Sequence, residues 1–218
     1  MTKVAIHQPN YFPWLGYFFK IYLSDQFVFL DDVIFSKRSY VKRTLIKDEI
    51  GSLGKTYLSV PLEKVSSQSK INTISICQNS EWKQKHLNRL YYLYHHAKYF
   101  SKYFPIIQDS LWMMRSWRLV ELNSSLVIKV AEILNLNTFF FFFSKLTYLK
   151  EHNNRNLQIC MILDADAYIA GAGASNYEDP GLFEVNKVKY IISDFMAFID
   201  QKKEKREISP QVNGYSIL

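Results

Sequence analysis

The sequence has few cysteines and no long hydrophobic run, and each shortage excludes a class of protein. Its two cysteines, Cys77 and Cys160, lie far apart and neither begins a metal-type spacing, which argues against a disulfide scaffold and a zinc site. The longest apolar run, residues 139–143, is far shorter than the ~20 residues of a membrane span. Because Met1 leads directly into a strand-like segment without a secretory signal, we expect a cytoplasmic protein with free thiols and no transmembrane segment.

Dense basic runs, repeats and low-complexity linkers are scarce as well. The formal net charge is +7, but the lysines and arginines are dispersed, and the one dense run at 202–206 is broken by Glu204. Because no nucleic-acid-recognition motif accompanies the charge, this pattern disfavours nucleic-acid binding. It suits a phosphorylated small molecule or an anionic membrane surface at least as well. With no linker to divide it, the chain is expected to form one domain over residues 1–218, and self-association into a homo-oligomer is left open.

Aromatic residues are abundant, with 15 Tyr, 16 Phe and 4 Trp. The order of segments predicts an α/β fold. A short apolar strand ends near Pro9, a helical pattern covers 14–23 with Leu15, Phe18, Phe19 and Tyr22 as its apolar face, and residues 27–30 form a second strand. Strand, helix and strand within about 30 residues make a βαβ unit, so these strands should be parallel.

The middle of the chain follows a different pattern. Residues 40–47 and 55–62 predict a β-hairpin, 70–77 is a candidate third strand, and 82–135 is mostly helical with breaks near Pro105 and at 115–118. Strand and helix then alternate again, with strands at 138–143, 167–170 and 188–192 and a helix at 154–163. We predict a mostly parallel, Rossmann-like sheet with a hairpin and a helical layer inserted at about 38–135, and read 139–143 as a buried strand.

The first candidate site is the loop after the first strand. His7, Gln8, Asn10, Tyr11 and Trp14 lie where a parallel strand ends and a helix begins. Ligands of open α/β sheets bind at this edge, and a helix N-terminus offers free N–H groups. The plain alternative is that His7 and Asn10 only cap the sheet and the helix.

Two further segments are candidates. Asp31 and Asp32 follow the second strand and could pair with His7 as an acid–base or orienting group, while Lys37, Tyr40 and Arg43 could hold a phosphate; ordinary capping and a solvated basic hairpin explain them equally well. Around Gly171, small residues after a strand would let a ligand approach the backbone, although the spacing does not match a dinucleotide fingerprint.

These segments together resemble one known family. The stretch 7–18 (HQPNYFPWLGYF) with Asp25, Phe27, Asp31 and Asp32 is similar to the opening of the WbqC-like family. The resemblance extends over nearly the whole chain. Its further matching residues are Tyr40, Lys42, Arg43, the helix at Trp82, Ser144 and the segment Tyr168, Gly171 and Tyr177. The sequence departs from the family pattern at 208–218, where a further helix of relatives is only partly matched.

The resemblance implies a role in bacterial surface polysaccharide (O-antigen) biosynthesis. It implies a cytoplasmic transferase acting on a nucleotide-linked sugar, with acyl or aminoacyl transfer to an amino sugar. His7 would then be a general base or phosphate ligand, Asp31 or Asp32 would orient it, and Gln8, Asn10, Tyr11, Trp14, Lys37, Tyr40, Arg43, Ser144 and Gly171 would bind substrate. We expect no cofactor and no metal. The alternative is a non-catalytic module that binds an activated sugar or a partner enzyme.

Overall fold

A computed structural model describes residues 1–50, 54–146, 154–176 and 178–205. The described chain forms two compact units. The first comprises residues 1–8, 14–30 and the described residues from 131 onward, and the second comprises 9–13 and 31–130. The single domain with an insertion at about 38–135 stays a prediction. The departure from the family pattern at 208–218 and the residue Tyr177 lie outside the described residues.

Seven strands and seven helices span the described chain. In chain order they are β1 (Lys3–His7), α1 (Leu15–Tyr22), β2 (Gln26–Phe29), β3 (Arg43–Lys47), β4 (Lys55–Ser59), α2 (Glu81–Tyr94), α3 (Phe100–Trp112), α4 (Leu119–Ile133), β5 (Phe139–Phe142), α5 (Arg155–Ile162), β6 (Ala167–Gly171), α6 (Pro180–Val185), β7 (Lys189–Ser193) and α7 (Phe195–Glu204). No helix among them is long and apolar enough to cross a membrane.

The first unit is built on a five-stranded sheet in the order β5-β2-β1-β6-β7, and every neighbouring pair is parallel. This confirms the predicted α/β fold and the parallel pairing of the first two strands. Counted along the chain, the order reads 3-2-1-4-5, which is the order of nucleotide-binding doubly wound folds. The chain therefore changes direction across the sheet between β1 and β6.

Helices cover both faces of this sheet, which explains the continuous apolar runs in its strands. On one face Val4, Ile6 and Tyr168 join a core with Leu157 of α5 and Phe183 of α6. On the other face Tyr17 of α1 packs on Phe27, with ring centroids 5.3 Å apart, and α7 packs on α1. Side chains of Asn154, Asp179 and Asp194 cap the N-termini of α5, α6 and α7 by accepting backbone N–H bonds.

The pairing between β1 and β6 ends before the strands do. Its last partners are Ala5 and Ile169, whereas β1 and β2 stay paired to His7 and Phe29, and β6 and β7 stay paired to Gly171 and Ser193. The sheet therefore opens at the carboxyl end of its two central strands. In this fold that opening is where a ligand binds.

Several local predictions were wrong. The buried face of α1 consists of Tyr17, Phe18 and Ile21 with Lys20, so of the predicted face only Phe18 is confirmed as buried. Leu15 and Phe19 are half-buried, with Phe19 packed on α7, and Tyr22 is largely exposed. Strand β5 lies at the edge of the sheet with Phe139 exposed, so it is not a buried strand.

The second unit contains the predicted hairpin, in which β3 pairs antiparallel with β4. The candidate third strand at 70–77 was wrong, because the segment forms a 3-10 turn at Ile71–Thr73 and makes only isolated bridges. Pro105 does not break the helical layer; it lies inside α3, and the first break falls between α2 and α3 instead. The break at 115–118 is confirmed, since α3 ends at Trp112 and α4 begins at Leu119.

Candidate functional site

A cleft of about 590 Å³ lies in the first unit where β1 and β6 separate. Its size falls within the range of small-molecule sites. Its wall includes His7 and Gln8 at the end of β1, Leu30 after β2, and Gly171 and Gly173 at and just beyond the end of β6. The remaining lining residues include Lys20, Asn154, Arg155, Asn156, Tyr168 and Glu178. Most of these groups can donate or accept hydrogen bonds, so the cleft suits a polar ligand.

His7 is held in one tautomer. Its Nδ1 atom lies 3.0 Å from the carbonyl oxygen of Gln8, which can only accept, so Nδ1 carries the proton and Nε2 is left as an acceptor. Tyr17 fixes the ring from the side, with ring centroids 4.8 Å apart. Burial lowers the pKa of His7 to about 4 and the Lys20 ammonium lowers it too, whereas the bond to Gln8 raises it. The imidazole is therefore neutral at pH 7.

Lys20 is a buried cation beside this imidazole. It lies on α1, only 5% exposed, and its Nζ donates a hydrogen bond of 2.8 Å to the carbonyl oxygen of Ile6. The same Nζ lies 5.8 Å from the ring centroid of Tyr168 on the opposite face of the sheet, so the side chain reaches through the gap between β1 and β6. Burial lowers the pKa of Lys20 to about 8, while the Glu178 carboxylate raises it. An ammonium at this depth is suited to an anionic ligand group.

Glu178 gives the cleft a fixed carboxylate. Its Oε2 accepts a hydrogen bond of 2.8 Å from the Tyr190 hydroxyl, and its Oε1 accepts from the Tyr168 hydroxyl at 3.3 Å and from the Asn156 amide. A carboxylate has about four acceptor positions, so one remains for a ligand hydroxyl or amino group. The cleft thus presents a cation and an anion at separate points.

The glycines at the carboxyl end of β6, Gly171 and Gly173, leave open space beside the backbone. A Cβ atom added at Gly171 or Gly173 would meet no described atom within 4 Å. Neither position needs glycine for packing of the described chain, and the open space lies along the wall of the cleft. Gly16 differs, because a Cβ there would clash with the Trp14 indole. Gly16 therefore makes room for the Trp14 ring at the start of α1.

A second, smaller cavity of about 100 Å³ adjoins the cleft. His7, Lys20 and Gly171 line both. Its other walls are mainly apolar and come from the N-terminal turns of α1 and α7: Trp14, Gly16, Tyr17, Phe195 and Met196, with Ala172, Ser193 and Asp194. Trp14 and Phe195 contact each other edge to face at 5.7 Å. Two compartments of different polarity thus meet at His7.

Other predicted site residues lie in the second unit. Asp31 is 2% exposed, and its backbone carbonyl accepts a hydrogen bond from Asn72. Asp32 makes an ion pair of 2.8 Å with Lys70 and accepts a bond from the Asn72 amide. Their pairing with His7 stays a prediction.

Tyr11 and Asn10 are buried within the second unit. Tyr11 is fully buried, and its hydroxyl donates to Nδ1 of His86 at 2.9 Å. Its role in substrate binding stays a prediction. Burial raises the pKa of Tyr11 well above its ordinary value. The side-chain amide of Asn123 joins two segments of this unit, because it donates hydrogen bonds to the carbonyl oxygens of Pro9 and Val41. These two bonds hold the segment at Pro9 in place, and the predicted substrate contact of Asn10 stays a prediction.

Of the remaining predicted residues, some line a cavity of the first unit and others do not. Gly171 lines both cavities and Gln8 lines the cleft, whereas Trp14 lines only the smaller cavity. Lys37 and Tyr40 are exposed in the second unit. Arg43 lies beside them; its guanidinium donates to the carbonyl of Arg38 at 2.6 Å and stacks on Tyr57 at 3.9 Å, which occupies part of its binding capacity. Ser144 is exposed in a 3-10 turn after β5, outside the lining of both cavities.

Sequence reasoning missed Lys20, Asn156, Glu178 and Tyr190. For Lys20 a signal existed, because the spacing of residues 17, 20 and 21 places a lysine on the buried stripe of α1. No local signal marks the other three, whose meeting depends on how three separate elements come together. Burial raises the pKa of the Cys160 thiol to about 12, which disfavours its thiolate form. Within the described ranges no three His, Cys, Asp or Glu residues are grouped to hold a metal.

A family model described as the WbqC-like protein family matches residues 8–207. The chain belongs to this family. It is also 26% identical, over 100% of its own length and 93% of the relative's, to the uncharacterized protein Rv1507c of Mycobacterium tuberculosis. No solved structure matches it significantly. The WbqC-like match includes Gln8, Lys20, Gly171 and Glu178 of the cleft, while His7 immediately precedes it.

Proposed function

We propose that this WbqC-like protein is a transferase that moves an acyl or aminoacyl group onto the amino group of a nucleotide-linked sugar. This proposal is supported above all by the two adjoining cavities, which share His7, Lys20 and Gly171. A transfer reaction needs two reactants in contact at one point. The polar cleft suits the sugar nucleotide, and the apolar compartment suits the transferred group. The biosynthetic setting that goes with this proposal is cytoplasmic assembly of surface polysaccharide.

The residues of the cleft divide the work of binding. Lys20 and Arg155 face the negative charge of the diphosphate. Glu178 accepts a hydrogen bond from the sugar's amino group. The open space at Gly171 and Gly173 admits the ligand close to the backbone.

His7 acts on the attacking nitrogen. The amine attacks the acyl carbonyl carbon of an activated donor, a nitrogen–carbon bond forms, and the bond to the leaving group breaks. Nε2 of His7 takes the proton that the nitrogen loses and returns it to the leaving group. A pKa of about 4 is low for this task, but the negative charge of a bound diphosphate favours the protonated imidazole and raises that pKa toward neutrality.

Blocking one compartment tests the proposal. Replacing Met196 by tryptophan fills the small cavity. Met161→Trp places the same ring at an exposed position of α5 that does not line this cavity. Calorimetry with a uridine-diphosphate amino sugar should give equal affinity for both variants, and mass spectrometry with short acyl thioesters should detect product only for Met161→Trp and wild type. Binding without product in the wild type would favour the non-catalytic module, and absence of sugar-nucleotide binding would refute both readings.

A further inference from the structure

The start of α3 exposes apolar surface on the second unit. Helix α3 is rich in aromatic and aliphatic residues, yet Leu111 is its single buried residue. At its N-terminal end six residues form what we call the aromatic–lysine cluster: Lys98, Tyr99, Phe100, Lys102, Tyr103 and Phe104. Soluble surfaces rarely keep a contiguous apolar patch without a use for it.

The cluster is ordered by its own contacts. Phe100 and Phe104 stack with centroids 4.5 Å apart, and the rings of Tyr99 and Tyr103 lie 6.4 Å apart. These four rings line a groove of about 130 Å³, together with Leu90, Tyr94 and Ile107. Tyr99 is nevertheless 58% exposed. The rings thus form a half-open apolar surface that is already in place.

Cations border this surface. The Nζ of Lys98 lies 5.1 Å from the Tyr99 ring centroid, and that of Lys102 lies 5.0 Å from the Tyr103 ring centroid. Both lysines are exposed. Between residues 91 and 118 there are two lysines and two arginines, and Asp109 is the sole acidic residue. The segment that carries the rings, residues 98–108, contains both of these lysines and no acidic residue, so it is basic.

We propose that the aromatic–lysine cluster docks the protein on an anionic lipid membrane surface. Tyrosine rings sit well at the level of lipid headgroups, apolar helix faces enter the acyl boundary, and lysines pair with headgroup phosphates. A neutral surface would leave these two lysines without opposite charges, whereas anionic headgroups pair with the ammonium groups while the adjacent rings enter the lipid layer. The complementary charge selects a negatively charged lipid layer as the occupant. This docking goes beyond the proposed transfer reaction and does not depend on it.

Vesicle sedimentation of the full chain tests this proposal. The wild type should sediment with vesicles of phosphatidylglycerol and phosphatidylcholine in equal parts, remain in solution with phosphatidylcholine alone, and be released by added salt. The double variant Lys98→Gln/Lys102→Gln should bind about 30-fold more weakly, given the loss of two lysine contacts. The variant Tyr99→Ser should bind more weakly at every salt concentration, because it removes apolar contact and leaves the charge unchanged.

Matched controls make the outcome decisive. Lys64→Gln and Lys187→Gln remove the same charge at exposed lysines outside the cluster, and this double variant should bind like wild type. Circular dichroism confirms that each variant is folded. The proposal is overturned if wild type fails to bind the mixed vesicles, or if the control pair weakens binding as much as the cluster pair. It is also overturned if sedimentation velocity shows that the cluster variants dissociate a dimer while wild type ignores the vesicles.

Discussion

Two histidines in the two units have similarly lowered pKa values but different surroundings. His7 keeps Nε2 without a hydrogen-bond partner in the described chain and lines a cleft. His86 uses both nitrogens, with Nε2–H donating to the Ser59 carbonyl at 3.2 Å and Nδ1 accepting from Tyr11. Burial lowers the pKa of each to about 4. The two histidines therefore differ not in the direction of the pKa shift but in the hydrogen-bonding position that His7 offers to the cleft.

The largest expected difference between the two histidines is in turnover. His7→Gln removes the basic nitrogen but keeps a side chain of similar hydrogen-bonding reach, so turnover should fall about 10²–10⁴-fold while ligand affinity changes by less than about tenfold. His86→Gln should leave the turnover of folded protein near that of wild type. Product formation beside calorimetric binding measures both. Full activity in a folded His7→Gln variant would remove His7 from the mechanism.

Acid should destabilise the fold through both histidines. An unfolded histidine takes up a proton below its ordinary pKa of 6.5, whereas the folded residues stay neutral until about pH 4. The unfolded state thus binds more protons in this window, so stability falls as pH drops from 6.5 to 4, by up to about 3 kcal/mol for enclosed His86. Urea unfolding across this range measures the slope. His86→Gln should flatten it, and an unchanged slope would contradict the assignment.

A smaller difference should appear between two tyrosines. Tyr11→Phe leaves the buried Nδ1 of His86 without a donor and should cost about 1–3 kcal/mol. Tyr17→Phe removes a bond of 3.0 Å to the Gln8 carbonyl, but that oxygen keeps the Nδ1–H of His7, so the cost should be about 1 kcal/mol or less. Denaturant midpoints of the two variants provide the comparison. Equal losses would show that the Tyr11–His86 pair has no special role in the second unit.

The sheet was predictable from the sequence because its strands are short apolar runs that end at turn residues. The position of His7 could be predicted as well, since a residue at the end of a central parallel strand lies at the carboxyl edge of the sheet. The segment 70–77 misled because its buried isoleucines, Ile71, Ile74 and Ile76, imitate a strand while a 3-10 turn buries them. Glu178 could not be predicted, because its partners Asn156 and Tyr190 belong to distant elements.

Because the β1–β6 pairing ends early, these two strands share fewer paired residues than any other neighbours in the sheet. Three residue pairs join β1 to β6, against four for β1 with β2 and five for β6 with β7. A ligand that contacts His7 at the end of β1 and Gly171 at the end of β6 would bridge the two strands at this junction. Since a ligand stabilises the state it binds, thermal melting should respond strongly to occupancy, so a melting screen of candidate metabolites is a direct route to the substrate.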